Sequence, residues 1–215
     1  MKKLLFIVGT RPEAIKMAPL ILLCRQEKNF EVKLCITAQH RSMLDQVLDF
    51  FEIKADYDLS VMQPGQSLFT LTANCLNGLE PVLETENPDL VLVQGDTTTA
   101  FAGALAAYYK NKKIAHIEAG LRSGNKHSPF PEEANRRMIG TLADFHFAPT
   151  AQACKHLNHE NITQNVFQVG NTVIDALLMG LDKIQHDQRY ADQFPYLNHM
   201  GRMVLITGHR RESFG

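Results

Sequence analysis

Two carboxylates stand just beyond short apolar runs that are typical of buried strands. Asp96 follows Leu90–Gln94, and Glu118 follows Lys113–Ile117, 22 residues further on. That separation suits a compact strand–helix–strand unit, so we expect neighbouring parallel strands with both carboxylates at their carboxyl edge. A third carboxylate, Glu132, comes after a Gly/Ser/Pro-containing loop long enough to return to that edge. Carboxylates gathered beside cations can divide acid and base roles, because their pKa values can be shifted in opposite directions.

Each of these carboxylates also has an ordinary structural interpretation. Asp96 could cap the helix that follows it, and Glu118 could pair with Arg122. Glu132 and Glu133 could complement the positive end of a helix. The sequence leaves both interpretations of Asp96 open, and it favours a functional role for Glu118 at its strand end.

An anion site is predicted where the first strand runs into a helix. Thr10 and Glu13 match the Thr-x-x-Glu capping box, and Pro12 fits the first helical turn, where its missing N–H costs nothing. Free N–H groups and the positive helix end, beside Arg11 and Lys16, suit an anion. The two cations diverge by about 140° on an ideal helix. They therefore share one ligand only if it lies across the helix mouth, and otherwise they are solvated cations.

Cofactor and metal sites are not expected. The chain lacks GxGxxG and GxxxxGK[ST], so a Rossmann dehydrogenase, a P-loop NTPase and a bound nicotinamide are not expected. His116-x-Glu118 is half of a zinc-deaminase signature, but no Pro-Cys-x-x-Cys follows. His156 and His159 could share a helix face, yet no third ligand is in view.

Short β-branched runs that alternate with longer helical patterns must position these residues. The predicted strands are Leu4–Val8, Val32–Thr37, Leu90–Gln94, Lys113–Ile117, Phe145–Ala148 and Val166–Val169. The predicted helices are Glu13–Arg25, Ser42–Phe51, Leu68–Glu86, Thr98–Tyr109, Glu132–Ala143 and Ala151–Asn158. This alternation predicts an α/β fold with a doubly wound, mostly parallel, Rossmann-like sheet that binds ligands at the carboxyl ends of its strands.

The last part of the chain follows a different pattern. A helical stretch from Val173 to about Gln188 leads into a polar segment, and a new strand is predicted at Met203–Thr207. We therefore expect an amino-terminal domain at 1–170, a connecting helix and linker at 171–202, and the first strand and loop of a truncated second domain at 203–215. Without sheet partners, residues 203–206 are expected to be disordered or paired with another molecule.

The composition argues against several classes of function. The 215 residues include 22 basic and 23 acidic side chains, so the net charge of −1 does not favour a general nucleic-acid binder. Apolar residues make up 45%, enough for a core, yet no apolar run approaches the ~18 residues that span a bilayer. The four cysteines form no CxxC and are typical of core residues in a reducing compartment. We expect a soluble cytoplasmic protein with neither a nucleic-acid nor a membrane partner.

Together these motifs resemble the bacterial non-hydrolysing UDP-N-acetylglucosamine 2-epimerases. The matching stretches occur in the family's order and cover nearly the whole chain: Gly9–Pro19, Thr37–Arg41, Gln94–Thr99, His116–Arg122, Pro131–Arg136, Gly170–Asp175 and Thr207–Glu212. The resemblance implies the amino-terminal half of a glycosyltransferase-B-like fold, in which substrate lies between two Rossmann-like domains.

The resemblance also implies an activity and its site. In that family, UDP-N-acetylglucosamine and UDP-N-acetylmannosamine interconvert for the synthesis of surface polysaccharide precursors. UDP is eliminated to give 2-acetamidoglucal and is then added back, with the proton delivered to the other face of C2. The implied catalytic residues are Asp96, Glu118, Glu132 and His209, and the implied substrate-binding residues are Arg11, Lys16, Asp96, Glu118 and His209. No cofactor is implied, and a homodimer is expected.

Two departures from the family pattern affect these expectations. Family members are longer, and their second domain holds most of the uridine and pyrophosphate. An active enzyme completed by another chain, an inactive fragment, and a hydrolysing epimerase or glycosyltransferase on the same fold all stay open. We favour inactivity of the isolated chain, because a cleft with one wall cannot exclude water. Some members bind a second substrate molecule as an activator through the Gln39 region and an arginine, but Gln63–Gln66 has no arginine here.

Overall fold

A computed structural model of the chain describes residues 1–37, 41–61, 65–187, 189, 190, 201, 203 and 204. The chain divides into two compact units, 1–176 and 177–215. The sheet and the described residues of the candidate site belong to the first unit. None of the described helices is long and apolar enough to cross a membrane.

The first unit is built on a parallel sheet whose seven strands all lie in the described part of the chain. They are β1 (Lys2–Val8), β2 (Phe30–Ile36), β3 (Tyr57–Asp58), β4 (Leu90–Gln94), β5 (Lys113–Ile117), β6 (Phe145–Ala148) and β7 (Val166–Gln168). Their order across the sheet is β3-β2-β1-β4-β5-β6-β7, and every neighbouring pair is parallel. This order confirms the predicted doubly wound, Rossmann-like fold.

Helices connect these strands as the sequence predicts, with bounds that differ by at most two residues. They are α1 (Arg11–Gln26), α2 (Arg41–Phe50), α3 (Leu68–Glu86), α4 (Thr98–Tyr109), α5 (Glu132–Leu142), α6 (Ala151–His159) and α7 (Thr172–His186). The sequence does not predict β3, whose two residues pair with Cys35 and Ile36 of β2. A pair of residues is too short to carry a recognisable strand pattern.

The core lies on both faces of the sheet, which explains the continuous apolar runs in the central strands. In β1, Phe6 packs in a cluster with Met17 of α1, whereas the adjacent Ile7 packs in a second cluster with Leu79 and Val93. Successive side chains of a strand point to opposite faces, so a strand covered on both sides must be apolar throughout. Each large side chain buried in this way contributes about 1.5–3 kcal/mol.

The strand order reverses at β1, which lies between β2 and β4, and this switch point is the expected ligand-binding crevice. Gly9 follows β1 there, in close contact with Thr37, which follows β2, and with Thr99 in the first turn of α4. A Cβ at Gly9 would lie 2.2 Å from Thr99 Oγ1 and 2.7 Å from Thr37 Oγ1. These two hydroxyls are themselves hydrogen-bonded at 2.9 Å. Only glycine allows the loops after β1 and β2 and the first turn of α4 to approach this closely.

The strand predicted at Met203–Thr207 is not present at its first two residues. Met203 and Val204 have no strand structure and are 52% and 83% exposed. The remaining residues of that prediction lie outside the described residues.

Candidate functional site

The predicted meeting of Asp96 and Glu118 follows from the pairing of their strands. Gln94 of β4 lies opposite Ile117 of β5, so the two loops leave the sheet side by side. Both turn sharply, since Gly95 has a φ of 72° and Glu118 a φ of 64°. The prediction that these strands are neighbours is confirmed.

The carboxylate of Glu118 is surrounded by three donors. Its Oε2 accepts hydrogen bonds from Lys16 Nζ at 2.6 Å and Gln94 Nε2 at 2.5 Å. Its Oε1 accepts a hydrogen bond from Asn171 Nδ2 at 2.8 Å. The Glu118 side chain is 11% exposed. The site at the carboxyl edge is therefore a nearly buried carboxylate with one cationic and two amide partners.

The suggested pairing of Glu118 with Arg122 is wrong. Arg122 instead pairs with Glu160, donating from Nε at 2.7 Å and from Nη2 at 2.6 Å. This two-point contact fixes the guanidinium against the end of α6. Because Arg122 and Glu160 are far apart in the sequence, no local sequence pattern predicts their contact.

Asp96 forms a hydrogen-bonded ion pair with Arg136 of α5. Burial raises the pKa of Asp96, the charge and hydrogen bond of Arg136 oppose that rise, and the negative charges of Glu132 and Glu118 add to it. Asp96 therefore lies within electrostatic range of both other carboxylates. The predicted gathering of acidic groups beside cations is present in the structure.

Asp96 does not cap the following helix. Thr97 is the N-cap of α4, and its hydroxyl accepts a hydrogen bond from the Ala100 N–H at 3.0 Å. The structural interpretation of Asp96 as a helix cap is therefore wrong, and its carboxylate is available to the carboxyl edge of the sheet.

The turn that carries Asp96 is held by side chains from two other elements. Asn135 Nδ2 donates to the Asp96 carbonyl at 2.9 Å, and His116 Nε2 lies 2.7 Å from the Gly95 carbonyl. Because a carbonyl only accepts, His116 carries its proton on Nε2. Burial lowers the pKa of His116 to about 4, so the ring is neutral at pH 7. His116 and Asn135 fix the backbone on either side of the carboxylate.

At the start of α1 the capping box is only half formed. Thr10 is the N-cap, but its side chain makes no capping hydrogen bond. Glu13 instead reaches back and accepts from the Gly9 N–H at 3.2 Å, the Thr10 hydroxyl at 2.7 Å and the Thr97 hydroxyl at 2.9 Å. Burial raises the pKa of Glu13 to about 7, and these hydrogen bonds only partly oppose the rise. Glu13 thus joins the β1–α1 loop to the β4–α4 loop.

The two cations of the predicted anion site have different surroundings. Arg11 is the first residue of α1 and is exposed, whereas Lys16 is held by Glu118. Pro12 occupies the first turn as predicted. Arg11 is therefore accessible at the start of α1, whereas Lys16 belongs to the carboxylate cluster.

Glu132 and Glu133 stand in the first turn of α5, as their structural interpretation proposes. Glu132 is partly buried, and Glu133 is fully buried. Glu133 accepts hydrogen bonds from the Ser123 N–H at 3.0 Å and from Arg137 Nε at 3.0 Å, and it lies 3.3 Å from Arg136 Nη1. Glu133 therefore has a structural role, which includes holding Arg136, the ion-pair partner of Asp96.

Some predicted residues lie outside the described part of the chain. His209 and the Gln39 region are among them, as are Gln63 and Pro64. Within the described residues, no group of three His, Cys, Asp or Glu side chains is placed to hold a metal ion. His156, weighed above as a metal ligand, donates from Nδ1 to the Gly120 carbonyl at 2.9 Å instead.

The fold and the site together define a Rossmann-like α/β domain with partly buried carboxylates and cations at the carboxyl edge of its sheet. A family model described as UDP-N-acetylglucosamine 2-epimerase matches residues 23–215, and the chain belongs to that family. It is 53% identical over 218 residues to the UDP-N-acetylglucosamine 2-epimerase of Salmonella typhimurium strain LT2, covering 99% of this chain and 58% of that protein.

Solved structures agree with this assignment. The UDP-GlcNAc 2-epimerase from Neisseria meningitidis bound to UDP-GlcNAc aligns with a TM-score of 0.93 and 51% identity, over 99% of this chain and 58% of that one. A Staphylococcus aureus MnaA–UDP co-structure aligns with a TM-score of 0.88 and 50% identity, over 100% of this chain and 56% of that one. The chain thus spans a little over half the length of these relatives, and it corresponds to the amino-terminal half of their glycosyltransferase-B-like fold.

Proposed function

We propose that this protein interconverts UDP-N-acetylglucosamine and UDP-N-acetylmannosamine by inverting the configuration at C2. The observation that carries the proposal is the placement of Asp96 within electrostatic range of Glu118 and Glu132, beside Lys16 and Arg136. The family of the chain supports the choice of substrate, since relatives have been solved with UDP-GlcNAc and UDP bound.

The chemistry needs acid–base groups on both faces of C2. One carboxylate removes the C2 proton while the bond from C1 to the UDP oxygen breaks, which leaves a C1=C2 double bond and free UDP. In the return step the UDP oxygen attacks C1, and a second group delivers a proton to the opposite face of C2. Asp96, Glu118 and Glu132 are the proposed acid–base groups within the described residues, and positioned groups of this kind accelerate proton transfer about 10²–10⁴-fold.

The departing UDP carries negative charge, so cations should lie where that charge develops. Arg11 and Lys16, with the free N–H groups at the start of α1, are proposed to meet it on this side of the cleft. His209 completes the proposed set as both a catalytic and a substrate-binding residue, from its match to the family motif.

Several finer statements belong to the same proposal. The product is proposed to feed surface polysaccharide synthesis, and the protein is proposed to act in the cytoplasm as a homodimer. Residues 171–202 are proposed to connect the amino-terminal domain to a second domain that begins near residue 203. Catalysis is proposed to need that second domain, so the 215 residues alone should turn over little substrate. These statements depend on the family resemblance.

Proton NMR of UDP-N-acetylglucosamine incubated with the protein in D2O tests the proposal. Deuterium at C2 together with appearance of UDP-N-acetylmannosamine is the expected result for a chain extended to the length of its relatives. Glu118→Gln should slow both by at least about 100-fold, whereas Glu80→Gln, an exposed residue of α3, should have no effect.

Two other results would contradict the proposal. Release of free N-acetylmannosamine and UDP would indicate a hydrolysing epimerase. Absence of C2 exchange in the extended chain, with substrate bound, would argue against epimerisation altogether. Running the 215-residue chain in parallel determines whether the longer form is needed.

A further inference from the structure

We propose that Gln94 and Asn171 are positioning residues that orient the Glu118 carboxylate so that its Oε1 atom is the one that exchanges the substrate proton. This inference rests on the proposed function, because it assigns a task to the carboxylate that the epimerisation requires. Gln94 and Asn171 reach Glu118 from different elements, the end of β4 and the loop before α7.

The hydrogen bonds of the two oxygens differ in number. Each carboxylate oxygen offers about two lone-pair positions. Oε2 uses both, since it accepts from Lys16 and from Gln94. Oε1 accepts only from Asn171 among the described residues, so one position stays open. A proton can therefore be taken up at Oε1 without breaking an existing hydrogen bond, whereas uptake at Oε2 requires one donor to leave.

The backbone at Glu118 is fixed as firmly as the side chain. Its φ of 64° lies in the left-handed region, which is unfavourable for a residue with a Cβ. Flanking backbone hydrogen bonds hold it there, from the Gly95 N–H to Ile117 and from the Ala119 N–H to Phe147, both at 3.0 Å. Strain of this kind persists only where the surroundings over-determine the conformation, and it is concentrated at functional sites. Glu118 is thus fixed both at its backbone and at its carboxylate.

The amide of Asn171 has only one orientation that satisfies its neighbours. Its Oδ1 accepts from the Val173 N–H at 3.1 Å in the first turn of α7, so its Nδ2 must face Glu118. A serine hydroxyl at this position can accept from the Val173 N–H, as helix-capping serines do, but serine is too short to donate to Glu118. Asn171→Ser is therefore a neutral variant that keeps an acceptor at the helix start and removes the positioning contact without adding a charge beside Glu118.

Gln94 offers an equally specific change. It is the last residue of β4 and is 3% exposed, with its amide against Glu118. Gln94→Leu keeps a similar volume and removes the donor. A matched control is Asn165→Asp, because Asn165 Nδ2 also donates a hydrogen bond, to the Asp144 carbonyl at 3.0 Å, but it precedes β7 at the opposite edge of the sheet.

The kinetic test uses whichever form of the chain exchanges the C2 proton. Asn171→Ser and Gln94→Leu should each lower kcat by about 10–100-fold, as expected for a displaced reacting group, with KM changed less than about twofold. The kinetic isotope effect on kcat with C2-deuterated substrate should rise, because proton transfer becomes slower than the other steps. Asn165→Asp should change none of these. Unchanged kcat, or a fall in kcat with no rise in the isotope effect, would overturn the proposal.

A second measurement reports the contacts without catalysis. The side-chain amide resonances of Gln94 and Asn171 should both move in Glu118→Gly, a variant that suits the left-handed backbone, while those of Asn165 stay in place. Unmoved resonances would overturn the positioning contacts whatever the activity. If the resonances move but the unmutated protein exchanges no C2 proton, the contacts are supported, and the proposed function is what fails.

Discussion

Asp96 and Arg136 form an ion pair that joins the loop after β4 to helix α5, and the Arg136 side chain is 13% exposed. The same guanidinium lies 3.3 Å from Glu133, which is fully buried. Glu133 is held in turn by the Ser123 N–H. Arg136 is therefore a fixed countercharge for Asp96, and its loss should be felt directly by the carboxylate.

Replacing Arg136 should raise the pKa of Asp96. Burial already raises that pKa, and Arg136 is the main opposing influence. In Arg136→Met the pKa of Asp96 should rise further, because the adjacent positive charge and its hydrogen bond are lost. Carbon-13 titration of the Asp96 carboxyl measures the change. Arg137→Met is the control, because Arg137 pairs with Glu133 and is 43% exposed. An Asp96 titration unaffected by Arg136→Met would contradict this account of the site.

Glu13 should make the protein less stable as the pH rises towards neutrality. Its pKa is about 7 in the folded protein, against an ordinary value of 4.5, because it is buried. The folded state therefore binds this proton more tightly than the unfolded state. The stabilisation that results from proton binding at Glu13 is fully present below pH 4.5 and is lost as the pH rises to about 7. Glu13→Gln resembles the protonated form and should be more stable than the unmutated protein at pH 8 by on the order of 1–3 kcal/mol.

Urea unfolding at pH 4.5 and pH 8 measures this difference. At the lower pH the two proteins should differ little, since Glu13 is then protonated. Glu80→Gln, at an exposed position in an ion pair with Lys110, should show no such change between the two conditions. Equal effects of Glu13→Gln at both pH values would show that ionisation of Glu13 does not destabilise the folded state.

The sequence predicted the fold well because the central strands are covered on both faces. Leu90–Val93, for example, are apolar throughout and are followed by the polar Gln94 and by Gly95, so both the type of the strand and its bounds are encoded locally. The β3 strand escaped because it has only two residues and is defined by its pairing with β2.

The site was predicted less completely than the fold. Asp96 and Glu118 could be brought together because the strand–helix–strand separation fixes their strands as neighbours. Their partners could not be predicted, because Asn171 lies 53 residues from Glu118 and Arg136 lies 40 residues from Asp96 in the sequence. Gln94 carried a usable signal, because a polar residue at the end of an apolar strand, next to Gly95, faces the carboxyl edge. The wrong pairing of Glu118 with Arg122 came from treating proximity in sequence as contact.

His116 should contribute to loss of stability in acid. Burial lowers its pKa to about 4 from an ordinary 6.5. As the pH falls, the unfolded state therefore takes up a proton at this position before the folded state does. The contribution of neutral His116 to the free energy of unfolding is fully present above pH 6.5 and is lost as the pH falls to about 4. His116→Gln, whose amide can still donate to the Gly95 carbonyl, should flatten the fall in unfolding free energy between pH 6.5 and 4.

The neighbouring His146 shares this behaviour, since burial lowers its pKa as well and it lies opposite His116 in the sheet. A double variant, His116→Gln with His146→Gln, should therefore flatten the profile more than either single change. His127→Gln, at an exposed loop position, is the control and should leave the slope as it is. A slope unchanged in the double variant would mean that other groups dominate the acid response.

Two glycines in left-handed conformations separate backbone strain from steric collision. Gly120 has a φ of 86° and Gly124 a φ of 81°, so alanine is similarly strained at both, by about 1–2 kcal/mol. A Cβ at Gly120 would also lie 2.4 Å from the Ala153 carbonyl oxygen, whereas one at Gly124 meets nothing within 4 Å. Gly120→Ala should therefore lower the free energy of unfolding by about 1–3 kcal/mol more than Gly124→Ala.

Urea unfolding of the two variants at one pH measures that difference directly, because the shared backbone strain cancels. The collision cannot be relieved by a side-chain rotation, since the Ala153 oxygen belongs to the backbone of α6 and α6 packs through Ala153 and Leu157. The cost should therefore appear as a displaced helix, visible as shifted amide resonances from Ala151 to His159. Equal destabilisation by both variants would mean that α6 moves away freely, and the close packing of Gly120 against it would then not be what fixes the loop that follows Glu118.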